Sequence, residues 1–226
     1  MPKLRLTISM SLDGFVAGPD QTVENPLGIG GEQLHDWVVP LEAWRKPQGM
    51  TGGEINASST VLEEIQGNIG ATIMGRNMFG GHPGPWDPAG PWGGWWGDNP
   101  PFHHPVFVLT HHARAPLRLQ GGTTFTFVTD GIESALRQAQ AAAGGEDVAL
   151  AGGAKVAQQY LAAGMVDQMD LNLVRSSSAE GSDYSRIWEA ICRGSSWYGR
   201  RRRPASLTFA TGWAEPTGRP RRPLLA

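Results

Sequence analysis

Three short stretches of the chain combine residue types that bind anions. Ile73, Met74, Gly75, Arg76 and Asn77 lead from an apolar run through a glycine into a basic residue that can open a helix. Backbone N–H groups at a helix start attract negative charge, and an arginine there can fork onto phosphate oxygens. In Leu150, Ala151, Gly152, Gly153, Ala154 and Lys155 a glycine pair holds the same position. With no Cβ in the way, such a pair lets a diphosphate approach the main chain. The third stretch, Leu109, Thr110, His111, His112, Ala113 and Arg114, ends an apolar run in hydrogen-bonding and cationic side chains, as a ribose phosphate requires. Any one of these is ordinary turn chemistry. Together, at the carboxyl ends of parallel strands, they would line one crevice, where open α/β sheets bind ligands. None is a G-x-G-x-x-G fingerprint or a Walker loop, which argues against a Rossmann dinucleotide domain and a P-loop nucleotidase.

The elements that must position these turns follow from periodicity. Short runs rich in apolar and β-branched residues predict strands at 4–10, 71–74, 106–110, 124–128, 148–151 and 169–174. Helical stretches fall between them at 57–66, near Arg76, at 132–143 after Asp130 as cap, and at 154–163 ending at Gly164. This alternation predicts an α/β fold with a mostly parallel sheet and helices on its faces. A Gly/Pro/Trp segment at 80–101 breaks the pattern and holds Trp86, Trp92, Trp95 and Trp96. Its indoles either staple the segment to the domain or form the wall of a binding site, since small-molecule pockets are lined by apolar and aromatic groups.

The chain has 226 residues, enough for one sizeable core. Its single cysteine, Cys192, excludes an intrachain disulfide framework and a cysteine-cluster metal site. No apolar run is long enough for a spanning helix, and the first eleven residues alternate like a strand rather than a signal peptide. A cytoplasmic soluble protein is expected. The overall charge of −2 conceals an asymmetry: residues 1–174 carry a net −8 and residues 175–226 a net +6. That change of sign marks a boundary.

Four ordered segments, 8–18 (ISMSLDGFVAG), 69–79 (IGATIMGRNMF), 103–114 (HHPVFVLTHHAR) and 150–171 (LAGGAKVAQQYLAAGMVDQMDL), resemble the family that joins the C-terminal reductase domain of bifunctional riboflavin-biosynthesis proteins (RibD) to dihydrofolate reductase. The resemblance covers roughly residues 3–174 and implies a three-layer dihydrofolate-reductase-like fold. It implies that Gly75, Arg76 and Asn77 hold NADPH phosphates and that Gly152, Gly153 and Ala154 lie beside the cofactor diphosphate. It places Leu109, Thr110 and His111 near the adenosine 2′-phosphate, hence NADPH rather than NADH. It makes Ser11, Leu12, Asp13 and Gly14 the loop that closes over the nicotinamide. The reaction implied is hydride transfer to a ring or sugar carbon, by resemblance the reduction of 5-amino-6-(5-phosphoribosylamino)uracil, with the cofactor carrying the hard chemistry. The alternative is a non-catalytic or inactive protein that keeps the nucleotide cleft.

The catalytic candidates are Asp13, which could position substrate, and Glu54, in the glycine-rich stretch before the 57–66 helix; Glu63 and Glu64 on that helix are further acids. His103 and His104, beside the Trp segment, are candidate acids or phosphate binders. Two histidines do not make a metal site, and no metal is expected. The expected partner is a small-molecule substrate, with no nucleic acid and no membrane, and a homodimer is the assembly the resemblance implies. No zinc-binding deaminase half precedes the domain, so a stand-alone reductase-like chain is expected.

After Val174 the resemblance stops. The family continues with a proline-containing loop, a glycine turn and a final strand pair; here an arginine-rich tail, 175–226, stands instead. Restarting the reading frame at the third base of the Val174 codon permits Pro-Phe-Leu-Leu-Gly-Gly-Gly-Glu-Arg-Leu-Phe-Glu-Asp-Leu-Gly across 175–189, and Thr-His-Leu-Arg-Tyr-Arg-Val across 207–213. Both strings suit the family, so the tail is read as the product of a shifted frame. The sequence then predicts a missing terminal strand pair, a bare edge at the 169–174 strand, and a poorly ordered tail. The run Arg200–Arg203, without a folded platform, is not read as a nucleic-acid patch.

Overall fold

The computed structural model describes residues 2–90 and 92–174, together with the backbone of a strand at 206–210. The elements run β1 (Leu4–Ser11), α1 (Glu42–Arg45), α2 (Ala57–Gln66), β2 (Ile69–Gly75), α3 (Arg76–Phe79), β3 (Pro105–Leu109), β4 (Leu117–Arg118), β5 (Thr124–Val128), α4 (Ile132–Ala142), β6 (Asp147–Gly152), α5 (Ala154–Ala162), β7 (Gln168–Val174) and β8 (Ser206–Ala210). The strands form one sheet in the order β4-β5-β3-β2-β6-β1-β7-β8. Only the short β4 runs antiparallel to its neighbour. The fold is therefore the expected α/β architecture with a mixed, mostly parallel sheet.

One sheet face is apolar. Leu4, Leu6, Val148, Leu150, Met169 and Leu171 are buried there against Ala135 and Ala139 of α4 and Ala157 and Tyr160 of α5. Tyr160 is fully buried and its hydroxyl donates to the Ile132 carbonyl at 2.7 Å. Helix α5 ends as predicted at Gly164 (φ 65°): the Gly164 and Met165 N–H groups bond the Leu161 and Tyr160 carbonyls, closing a glycine C-cap.

The other face is shared by two covers. Over β3 and β5, the 80–101 segment lays its aromatic groups on Val106, Val108, Phe125 and Phe127. On the β1 side, α1, α2 and a 3-10 turn at Gly31–His35 enclose Val38, Leu41 and Leu62. The guanidinium of Arg5 joins this cover to the sheet, donating to the Gly67 and Glu64 carbonyls at the end of α2, both at 2.9 Å. A cation at a helix C-terminus also suits the helix dipole.

Two expectations change. Asp130 does not cap α4: the N-cap is Gly131 at φ 88°, with no side-chain cap, because this glycine turns the chain one residue later. At the far edge, β7 is not bare. Among the described residues a single strand follows it, and β8 pairs with it in parallel, Gln168 opposite Ser206 through Asn172 opposite Ala210. The remaining expectations for the tail, including the Arg200–Arg203 run, fall on residues outside those described.

Candidate active site

Because β3, β2, β6 and β1 are adjacent and parallel, their carboxyl ends share one edge of the sheet. The three anion-binding turns predicted from sequence are therefore brought side by side. Gly75 ends β2 level with Leu109 of β3, and Met74 is level with Gly152 of β6. The contact between the β2 and β6 turns is close. A Cβ on Gly75 would lie 2.7 Å from Val156 Cγ2 and 3.5 Å from the Gly153 nitrogen, so a side chain there must push the Val156 side chain aside. Gly152 has φ 109° and its peptide to Gly153 is cis. A Cβ on Gly153 would meet nothing within 4 Å. Gly153 thus faces open space at the start of α5, whose first N–H groups have no partner within the helix, while a Cβ on Gly152 would touch Met78 Sδ at 3.7 Å. These residues fit a diphosphate.

The side chains around the turns are less free than the sequence suggests. Arg76 donates to the Gly80 and His82 carbonyls, and its guanidinium lies 3.4 Å from the centroid of the Trp86 ring. Arg114 approaches the same indole at 5.0 Å and donates to the Trp92 carbonyl. Burial, and for Arg76 also the charge of Arg114, lowers both guanidinium pKa values. Asn77 and His111 are exposed. Thr110 is buried, its N–H bonded to the Val128 carbonyl and its hydroxyl accepting from the His112 N–H. The tryptophans of the 80–101 segment act as staples: Trp86, Trp92 and Trp95 donate their indole N–H to the carbonyls of His112, Phe79 and Met78. Trp96 stacks on Phe125.

Asp13 sits in the turn that ends β1. Ser11 Oγ donates to its carboxylate at 2.5 Å and accepts the Phe15 N–H, while the Gly14 N–H closes the turn on the Ser11 carbonyl. This turn stands on the same sheet edge as the glycine pair. Glu54 is held elsewhere, by its backbone: its N–H donates to Pro40, its carbonyl accepts from Glu42, and its exposed carboxylate accepts from the Asn56 amide at 3.3 Å. Glu63 and Glu64 are exposed on α2. His103 and His104 lie before the amino end of β3, away from the turns. His104 is 2.7 Å from Thr72 Oγ1, and burial pushes its pKa down to about 4; His103 bonds the Gly121 carbonyl.

Sequence reasoning missed the floor between the two covers. Ala149 and Ala151 of the central strand β6, and Thr7 and Ser9 of β1, are only half-buried, although central strands are normally covered on both faces. Small and polar residues at alternate positions were the available signal. Beside this floor Trp37 donates its indole N–H to Ser9 Oγ at 3.0 Å.

The RibD C-terminal domain family matches residues 2–174 of the chain. The chain belongs to that family. The match ends at Val174, where the charge balance changes sign. Similar solved structures include a protein from Shewanella sp. PV-4 assigned to riboflavin biosynthesis (15% identity, covering 80% of this chain and 82% of that one, TM-score 0.47). Another is the diaminohydroxyphosphoribosylaminopyrimidine deaminase/5-amino-6-(5-phosphoribosylamino)uracil reductase of Thermotoga maritima (15% identity, 82% and 48%, TM-score 0.45). A third is RibD of Acinetobacter baumannii (17% identity, 81% and 49%, TM-score 0.41). The RibD-type chain described here spans about half the length of the latter two. No curated protein matches it.

Proposed function

We propose that the chain is an NADPH-dependent reductase acting on a small heterocyclic or sugar-phosphate substrate, in the manner of the uracil reductase named for the Thermotoga protein. The observation that carries this reading is the glycine-lined junction of β2 and β6. A Cβ on Gly75 would crowd the Val156 side chain of α5, while the position a Cβ would take on Gly153 is open. NADPH bound there would supply the hydride. The N–H groups of Gly153 and Ala154, at the start of α5, would hold the diphosphate. Those of Arg76 and Asn77 would extend the anion site across β2, and Thr110 and His111 would stand near the adenosine 2′-phosphate. Asp13, fixed by Ser11 on the same edge, is placed to orient substrate or relay a proton. Glu54 would reach the substrate only from the α2 side.

Titration of tryptophan fluorescence with NADPH and NADH in the full chain tests this. Saturable binding that prefers NADPH is expected, and Gly75→Val should weaken it about tenfold or more, since a branched side chain has no room at this junction. Oxidation of NADPH with 5-amino-6-(5-phosphoribosylamino)uracil should then follow at 340 nm, and Asp13→Asn should lower kcat with little change in NADPH affinity. Absence of NADPH binding overturns the reading.

A further inference from the structure

Two arginines meet at one indole with no counter-charge beside them. The guanidinium of Arg76 lies 3.4 Å from the centroid of the Trp86 ring and that of Arg114 lies 5.0 Å from it. Neither has a carboxylate partner among the described residues, where the ion pair joins Arg5 to Asp147. Holding two partly desolvated cations together is unfavourable, and an anion beside them offsets the cost. The two groups are not equally free. Arg76 spends Nη1 and Nη2 on the Gly80 and His82 carbonyls, and its Nε is buried without a partner. Arg114 gives only Nη1, to the Trp92 carbonyl. Its Nε and Nη2, which share the other edge of the planar group, make no hydrogen bond among the described residues, and the residue is half-exposed.

The strand register shows where this fork stands. Gly75, Leu109 and Val128 close β2, β3 and β5 level with one another. Arg114 follows β3, and its guanidinium lies 5.0 Å from the ring centroid of Phe127, one residue before the end of β5. The fork therefore belongs to the sheet edge that carries the glycine pair, on the other side of β2 from it. The Trp92 carbonyl and the Trp86 and Phe127 rings hold the guanidinium before any ligand arrives, which removes part of the ordering cost of binding.

We infer that Arg114 is a specificity-determining residue, whose Nε and Nη2 take two oxygens of a phosphate monoester, while the Arg76 guanidinium serves the 80–101 segment. A planar fork matches two phosphate oxygens, which a point-like ammonium does not. The inference rests on the NADPH reading. The monoester is then the adenosine 2′-phosphate, and Arg114 rather than the Arg76 side chain sets the preference for NADPH over NADH. Inorganic phosphate offers the same chemistry without the nucleotide.

Calorimetric titration of the full chain with NADPH, NADH, adenosine 2′,5′-bisphosphate and inorganic phosphate tests it. NADPH and the bisphosphate should bind more tightly than NADH and phosphate. Arg114→Gln should weaken NADPH and the bisphosphate at least about tenfold, the loss of a charge-assisted bidentate contact. The same variant should leave NADH affinity unchanged, which also shows that it is folded. Arg114→Lys, which keeps the charge without the fork, should recover only part of the loss. Arg76→Gln should lower Tm and leave the ratio of NADPH to NADH affinity as in the wild type. The inference is overturned by an unchanged ratio in Arg114→Gln, by full recovery in Arg114→Lys, or by a ratio that collapses in Arg76→Gln instead. Wild-type protein that binds NADPH and NADH equally overturns it too. Arg114-dependent binding of phosphate with neither nucleotide bound would sustain the fork and overturn the cofactor reading; no binding of any of the four overturns both.

Discussion

The two faces of the sheet are covered in different ways. The face under α4 and α5 is closed by apolar side chains, from Leu4 and Leu6 to Met169 and Leu171, with Tyr160 satisfying its one polar group inside the core. The opposite face adds named polar pairs to its two apolar covers: Arg5 on the carbonyls of α2, Trp37 on Ser9, His104 on Thr72. Burial of apolar area is non-directional and covers a surface evenly. Hydrogen bonds are directional, so a face built on them can leave one position open between fixed points. The half-buried strip of Thr7, Ser9, Ala149 and Ala151 is such a position, and the glycine junction opens at its end.

The contrast can be broken by substitution on each face. Leu6→Ala, at a fully buried site, should cost about 3 kcal/mol in urea unfolding, as a cavity in a packed core does. A cost below about 1 kcal/mol would mean that this face is loosely packed. On the polar face Arg5→Met should cost about 2 kcal/mol, since it leaves Asp147, 3.8 Å from the guanidinium, and two helix-terminal carbonyls without their cation. No loss there would show that water replaces the guanidinium freely.

The smallest effect is a pH dependence confined to the polar face. His104 protonates near pH 4 when folded and near 6.5 when unfolded. Its contribution is complete above pH 6.5. Between 6.5 and about 4 the unfolded chain takes up a proton that the folded chain refuses, so stability falls with pH across that window. Burial depresses His35 in the same sense. Partial solvent access keeps the slope below the roughly 1.4 kcal/mol per pH unit of an unscreened group. His104→Gln should narrow the difference in Tm between pH 7 and pH 5; an unaltered difference would assign the pH dependence to other groups.

The apolar face was legible from the sequence; of the opposite one only the α2 helix, expected at 57–66 and found there, was. Alternation in 4–10 and 169–174, and the helical stretches at 132–143 and 154–163, place the elements of the first face within a residue or two of their observed bounds. The same alternation disguises Asn172. In Gln168–Val174 a polar residue at every second position reads as the solvent side of a half-buried strand, yet Asp170 and Asn172 are buried in the fold. Short elements such as Glu42–Arg45 are too brief for a helical period to register. The turns at Gly75 and Gly152 were legible because glycine demand is local. The fate of the Arg76 guanidinium was not, since its partners, Gly80 and His82, lie in a segment whose fold depends on indole anchors.

The place of β1 within the sheet also governs how the chain can be assembled. Its neighbours are β6 and β7, with Leu4 paired to Val148 and Arg5 to Gln168. At about 5–20 residues per second, a ribosome delivers those partners on the order of ten seconds after the first strand emerges. Throughout that interval Leu4, Leu6 and Met10 have no sheet to join. Strand β1 thus waits for partners made more than a hundred residues later, which leaves it the strand of this sheet longest exposed to wrong pairing during synthesis.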